Sequence, residues 1–158
     1  MKSPKIIELP PTELTGLRIK TSTAKNETRS LWERFQKMLI TAKVSPEIEK
    51  YSVQVFDADT TISNMNPHTE FEKWAAVASK HFSEVPKAME TISISGKYAV
   101  FMHKGLPSDF PKTAAFIFGE WMPKSGFRVD QRPHFEIMPV GYSPFDSTAE
   151  EEIWVPIK

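Results

Sequence analysis

The sequence predicts an α+β fold: two β-α-β-β units related by a pseudo-two-fold, making antiparallel sheet with two helices on one side and a central ligand cleft on the other. Three observations predict it. First, two apolar helix stripes share one spacing, Leu31, Phe35, Met38, Leu39, Ala42 and Phe110, Ala114, Ile117, Phe118, Trp121, and each follows a short alternating strand and precedes two more. Second, the halves sit at a nearly constant offset, pairing Gly16 with Gly96, Leu31 with Phe110, Val55 with Phe135 and Trp74 with Trp154. Third, 158 residues with 40% hydrophobic content suit one domain, residues 1–158, with a real core and little room for a second.

In chain order, residues 1–15, with Pro4, Pro10 and Pro11, read as an extended lead-in. The first unit spans about residues 16–80. It opens with a strand at Gly16–Thr21, and Asn26 is set to cap a helix that Pro46 ends. Tyr51–Phe56 and Phe71–Ala78 are its other strands, separated by a polar loop from Asp57 to Pro67. Residues 81–95 are a connector, with room for an extra strand at Glu90–Ile94. The second unit, about 96–158, has a strand at Gly96–Met102 and a helix capped by Ser108 or Asp109 with Pro111 in its first turn. Pro123 and Gly126 close that helix, and strands at His134–Val140 and Glu152–Ile157 follow.

Composition excludes several classes of function. Twenty basic and twenty acidic side chains balance without long blocks of either sign, so no nucleic-acid or membrane-binding footprint is expected. The N-terminus lacks the apolar run of about seven residues of a signal peptide, and nothing approaches the ~20 needed to cross a bilayer. A cytoplasmic location is expected. The absence of cysteine removes disulfides, thiol catalysis and cysteine-ligated zinc, and His68, His81, His103 and His134 show no metal-ligand spacing. No metal or cofactor is expected. His134-Phe135-Glu136 matches the H-x-E of zinc deaminases without their cysteine pair, Asp57-Ala58-Asp59 is turn chemistry, and no phosphate loop, dinucleotide fingerprint or nucleophile elbow occurs.

The residue that stands out is Glu136, in the middle of a strand with apolar flanks, where a carboxylate is costly unless something pairs with it. Alternation puts Phe135 and Ile137 on one face, assigned to the helix-packed core, and His134, Glu136 and Met138 on the other, facing the cleft. The repeat offset places Phe56 in the equivalent position. With Ile153, Val155 and Ile157 packed inward, Trp154 and its counterpart Trp74 also turn to the cleft. A carboxylate ringed by aromatics suits a hydrophobic cation, each ring face adding about 0.5–2 kcal/mol. The alternative is structural: Glu136 on a solvated sheet face, or paired with a lysine such as Lys73, and the tryptophans filling the core.

The ordered set Gly96-Lys97-Tyr98-Ala99-Val100-Phe101-Met102-His103-Lys104-Gly105, Phe118-Gly119-Glu120-Trp121-Met122-Pro123-Lys124-Ser125-Gly126-Phe127, Arg132-Pro133-His134-Phe135-Glu136 and Glu152-Ile153-Trp154-Val155-Pro156-Ile157-Lys158 resembles the GyrI-like small-molecule-binding domain. This is the effector-binding domain of AraC-type and MerR-type multidrug-responsive regulators, found also in stand-alone form, and the resemblance runs from about residue 16 to the end. It implies the duplicated fold, a pocket glutamate for cationic aromatic drugs at Glu136, and a lining aromatic at Phe110. Where the family often has an aromatic two residues after the glutamate, this chain has Met138, a flexible thioether. The strand-face reading adds Phe56, Trp74, Tyr98 and Trp154 to the ligand-binding set.

The resemblance implies a stand-alone binding protein for small hydrophobic, cationic molecules, acting in sensing or sequestration, and a binder rather than an enzyme. The alternative is a hydrolase of strained cyclopropane-containing genotoxins, with Glu136 as general base assisted by Tyr98. A third class is a protein-interaction module, its partner gyrase or a regulator. No direct DNA binding is expected.

Overall fold

The computed structural model describes residues 2–158. Six strands, β1 (Lys5–Thr21), β2 (Lys50–Val55), β3 (Phe71–Ala78), β4 (Glu90–Lys104), β5 (His134–Met138) and β6 (Glu150–Pro156), pair antiparallel throughout and close into a barrel in the order β1-β3-β2-β5-β6-β4. Helix α1 (Thr28–Thr41) follows β1. A second helical rod joins α2 (Phe110–Ala114), a π-helical stretch (Ala115–Trp121) and α3 (Met122–Ser125). Among the described residues no helix is long and apolar enough to cross a membrane.

Alternation along the strands sorts side chains into three apolar clusters. One face of every strand fills the barrel with Leu14, Val53, Trp74, Ala76, Ile94, Tyr98, Val100, Phe135, Ile137 and Trp154. The outer faces of β1 and β3 present Leu17, Ala75 and Val77 to Leu31, Phe35 and Leu39 of α1. Those of β4 and β6 present Ala99, Phe101, Ile153 and Val155 to Ile117 and Met122 of the rod. Each large side chain buried this way contributes about 1.5–3 kcal/mol. The helices therefore cover the outer strand pairs of the two halves, and the outer face of β2 and β5 lies between them.

This corrects the sequence reading on which side carries what. The face away from the helices does not enclose a cleft: it is the packed barrel interior, and the open depression lies on the helix side. Phe135 and Ile137 are interior residues rather than helix-packed ones. The register gives the reason, since Phe135 faces Trp154 across the β5–β6 ladder while Glu136 faces Ile153, a residue packed under the rod.

Boundaries shift as well. Most of the expected lead-in is the first half of β1, which pairs with β4 from Lys5 to Leu9 and again from Thr12. Pro10 and Pro11 fall at the irregularity between, where no ladder N–H is required. The end of the connector belongs to β4, which runs without a break from Glu90. Glu27, not Asn26, occupies the N-cap of α1, while Asn26 Oδ1 accepts the Thr28 N–H at 2.9 Å. Pro123 lies inside the rod at the start of α3, and the rod ends at Gly126, whose φ of 79° is left-handed.

Candidate ligand-binding site

A depression of about 2540 Å³ opens over the outer face of β2 and β5, walled by α1 on one side and by the rod on the other. Its floor follows from register. Ser52 faces Glu136 and Gln54 faces His134 across the β2–β5 ladder, so all four side chains share the outward face, joined by Met138 two residues on. Lys73 faces Gln54 from β3, and Glu151 arrives from β6 on the face of Ile153. Trp32 of α1 and Phe110 and Phe118 of the rod border the opening, and Phe56 closes one end, its ring 5.4 Å from Phe71 and 5.2 Å from His134.

The floor is polar and charged where the walls are apolar. Gln54 Nε2 donates to Glu136 Oε2 at 2.9 Å, fixing the carboxylate without neutralising it. Among the described residues, no ion pair within 4.0 Å reaches Glu136, Glu151 or Lys73. Burial, reinforced by Glu136 and opposed by Lys73, pushes the Glu151 carboxyl up to about 7. Burial pushes Tyr142 up to about 12, with Glu151 and Glu136 adding to it. Burial lowers the Lys73 ammonium against the pull of Glu136 and Glu151, and burial beside Arg132 lowers His134 to about 4, which leaves a neutral imidazole near pH 7.

Of the residues expected at the cleft, Glu136, Phe56, Phe110 and Met138 line the depression. Trp74 and Tyr98 do not: they are buried in the barrel interior. The Tyr98 hydroxyl donates to the Pro133 carbonyl at 2.8 Å, and its ring carries the Arg132 guanidinium 4.8 Å from its centroid. Trp154 borders the depression only as part of its floor, with its ring stacked on Phe135 inside the barrel at 5.1 Å. The interior is an aromatic core in which the rings of Tyr98, Phe135 and Trp154 pack on one another, with Trp74 buried in the same cluster. Sequence reasoning gave no part in the site to Glu151, Tyr142 or Gln54. The signal for Glu151 was the run Glu150-Glu151-Glu152 leading into Ile153, where alternation puts Glu151 on the outward face. Tyr142 and Gln54 carried none.

A six-stranded barrel with two external helices and an apolar-walled, acid-floored depression is the architecture of a small-molecule-binding domain. The chain belongs to the family of the GyrI-like small molecule binding domain, which it matches over residues 2–158. The transcriptional regulator BrlR of Pseudomonas aeruginosa is 25% identical over 157 residues, covering 97% of this chain and 54% of that protein, so the chain spans about half the length of the curated relative. Solved structures share the fold, among them the following two. SAV2435 bound to tetraphenylphosphonium superposes with a TM-score of 0.72 at 16% identity, covering 99% of this chain and 94% of the other. A hydrolase encoded by lin2189 from Listeria innocua does so at 0.64 and 13%, covering 99% and 92%.

Proposed function

We propose that the chain binds small hydrophobic cations in the depression between α1 and the rod, for sensing or sequestration, with Glu136 as the central charge. The observation that carries this reading is the Glu136 carboxylate, oriented by Gln54 and free of any ion pair among the described residues, on the floor of an apolar-walled depression. An organic cation supplies the missing countercharge and its hydrocarbon fills the walls formed by Phe56, Phe110, Phe118 and Met138. Tetraphenylphosphonium, bound by SAV2435, has this chemistry. The internal duplication draws support from the strand order: β1-β3-β2 in one half is matched by β4-β6-β5 in the other, and the two runs meet between β2 and β5.

One observation favours the hydrolase as a second reading: Glu136 and Glu151 are two carboxyls of different environment, and Glu151, at about 7, is placed to exchange a proton near neutrality. Tyr98, enclosed in the barrel, has no part in it.

The test is tryptophan fluorescence titration with tetraphenylphosphonium on wild type and Glu136→Gln, using Trp32 at the rim as reporter. Glu136→Gln is expected to weaken binding by about 1.5–3 kcal/mol, the scale of a charge-assisted contact, without loss of fold. Equal affinity of the two proteins overturns the assignment of Glu136. For the second reading, chromatography of ligands recovered after incubation separates a binder, which returns them intact, from a hydrolase.

A further inference from the structure

We infer that the depression takes an amphoteric ligand, one that carries an anionic group for Lys73 as well as a cationic centre for Glu136 and Glu151. The inference rests on the ligand-binding reading above and narrows its ligand class.

Lys73 lies on the floor, in register with Ile19 on β1 and Gln54 on β2, and is half-buried. Among the described residues its ammonium makes no hydrogen bond and no ion pair within 4.0 Å. No ion pair within 4.0 Å joins it to Glu136, whose Oε2 accepts from Gln54 Nε2 at 2.9 Å. The floor thus displays both signs of charge side by side, Glu136 and Glu151 against Lys73, with none of the three neutralised by direct contact.

Such an arrangement discriminates between ligands. A hydrophobic guest that fills the depression strips water from everything beneath it, and an ammonium left dry and unpaired opposes that binding. A ligand bearing only a cation also brings like charge against Lys73. A ligand that offers a carboxylate replaces the lost water with a charge-assisted hydrogen bond between opposite charges, and its cation still meets the two glutamates. Lys73 is then a specificity-determining contact, selecting for the second group on the ligand.

The test uses three probes of one shape: tetraphenylphosphonium, the zwitterion made by adding one para-carboxylate to it, and the methyl ester of that zwitterion. Each is titrated calorimetrically against wild type, Lys73→Met, Lys73→Arg and Glu136→Gln. Wild type is expected to bind the zwitterion about tenfold or more tighter than the ester, the scale of a charge-assisted hydrogen bond. Lys73→Met should lose that preference, Lys73→Arg should keep it, and Glu136→Gln should weaken all three probes together. A wild type that binds the ester as tightly as the zwitterion, or a Lys73→Met variant that retains the preference, overturns the inference. If tetraphenylphosphonium still binds through Glu136 in that case, the binding reading survives alone; if no probe binds wild type, both fall.

Discussion

Glu151 shows how one carboxyl couples the site to pH. Its folded pKa of about 7 lies above the ordinary glutamate value of 4.5, so the folded protein holds this proton more tightly than the unfolded chain does. Its contribution to stability is therefore fully present below the unfolded value and is lost as pH rises through the folded one, between roughly pH 4.5 and 7. Glu151→Gln, which mimics the protonated form, should raise the thermal midpoint relative to wild type at pH 8 and leave it unchanged at pH 4. Cation affinity runs the other way, because ionising Glu151 adds a negative charge to the floor. Titrations with tetraphenylphosphonium should tighten through pH 7 in wild type and stay flat through that range in Glu151→Gln; a flat wild-type profile would remove Glu151 from the site.

At the scale of elements, Arg132 joins three separate stretches at one end of the barrel. Its Nη1 donates to the Ser95 carbonyl at 2.6 Å, its Nη2 to the Lys97 carbonyl at 2.6 Å and the Ile157 carbonyl at 3.1 Å, and its Nε to Asp130 Oδ2 at 2.7 Å. Gly96, at φ 101°, leaves room for it: a Cβ there would stand 2.7 Å from Nη1. The clamp holds the start of β5, and with it His134 and Glu136, against β4 and the C-terminus. A lysine cannot serve four acceptors in one plane. Arg132→Lys should cost about 2–4 kcal/mol of stability by urea denaturation, the sum of several weakened charged hydrogen bonds. A cost within error of zero would show that the strand ladders hold this end without it.

For the whole molecule, barrel closure depends on how closely β1 approaches its neighbours. Gly16 pairs with Ala76 of β3 and with Glu90 of β4, so two ladders meet at one residue. A Cβ at Gly16 would stand 2.0 Å from the Ala75 carbonyl oxygen, which is backbone and cannot swing aside. Gly16→Ala should therefore destabilise by at least about 3 kcal/mol, more than ordinary overpacking, because relief requires parting β1 from β3. Urea unfolding of the purified variant checks this, and a midpoint close to wild type would mean that the barrel can breathe at this seam.

The amino-acid sequence by itself determined the element order, the helix faces and the family motifs, since spacing of 3.6 and 2 residues and turn-forming residues act locally. Leu31, Phe35 and Leu39 pack as their periodicity requires, and Glu136 points away from Phe135 because alternation allows nothing else. What it left open was which face of each strand meets which partner. Trp74, Tyr98 and Trp154 have the same local signature whether they line a pocket or fill a barrel. Only the closure of six strands turned them inward, and the β5–β6 register then put Glu136 on the helix side. Lys73, Gln54, Glu136 and Glu151 come from four strands far apart in the chain, and no local pattern brings them together. Their meeting is a product of long-range pairing, which the tertiary structure alone decides because each ladder's register is set by contacts made across the whole barrel.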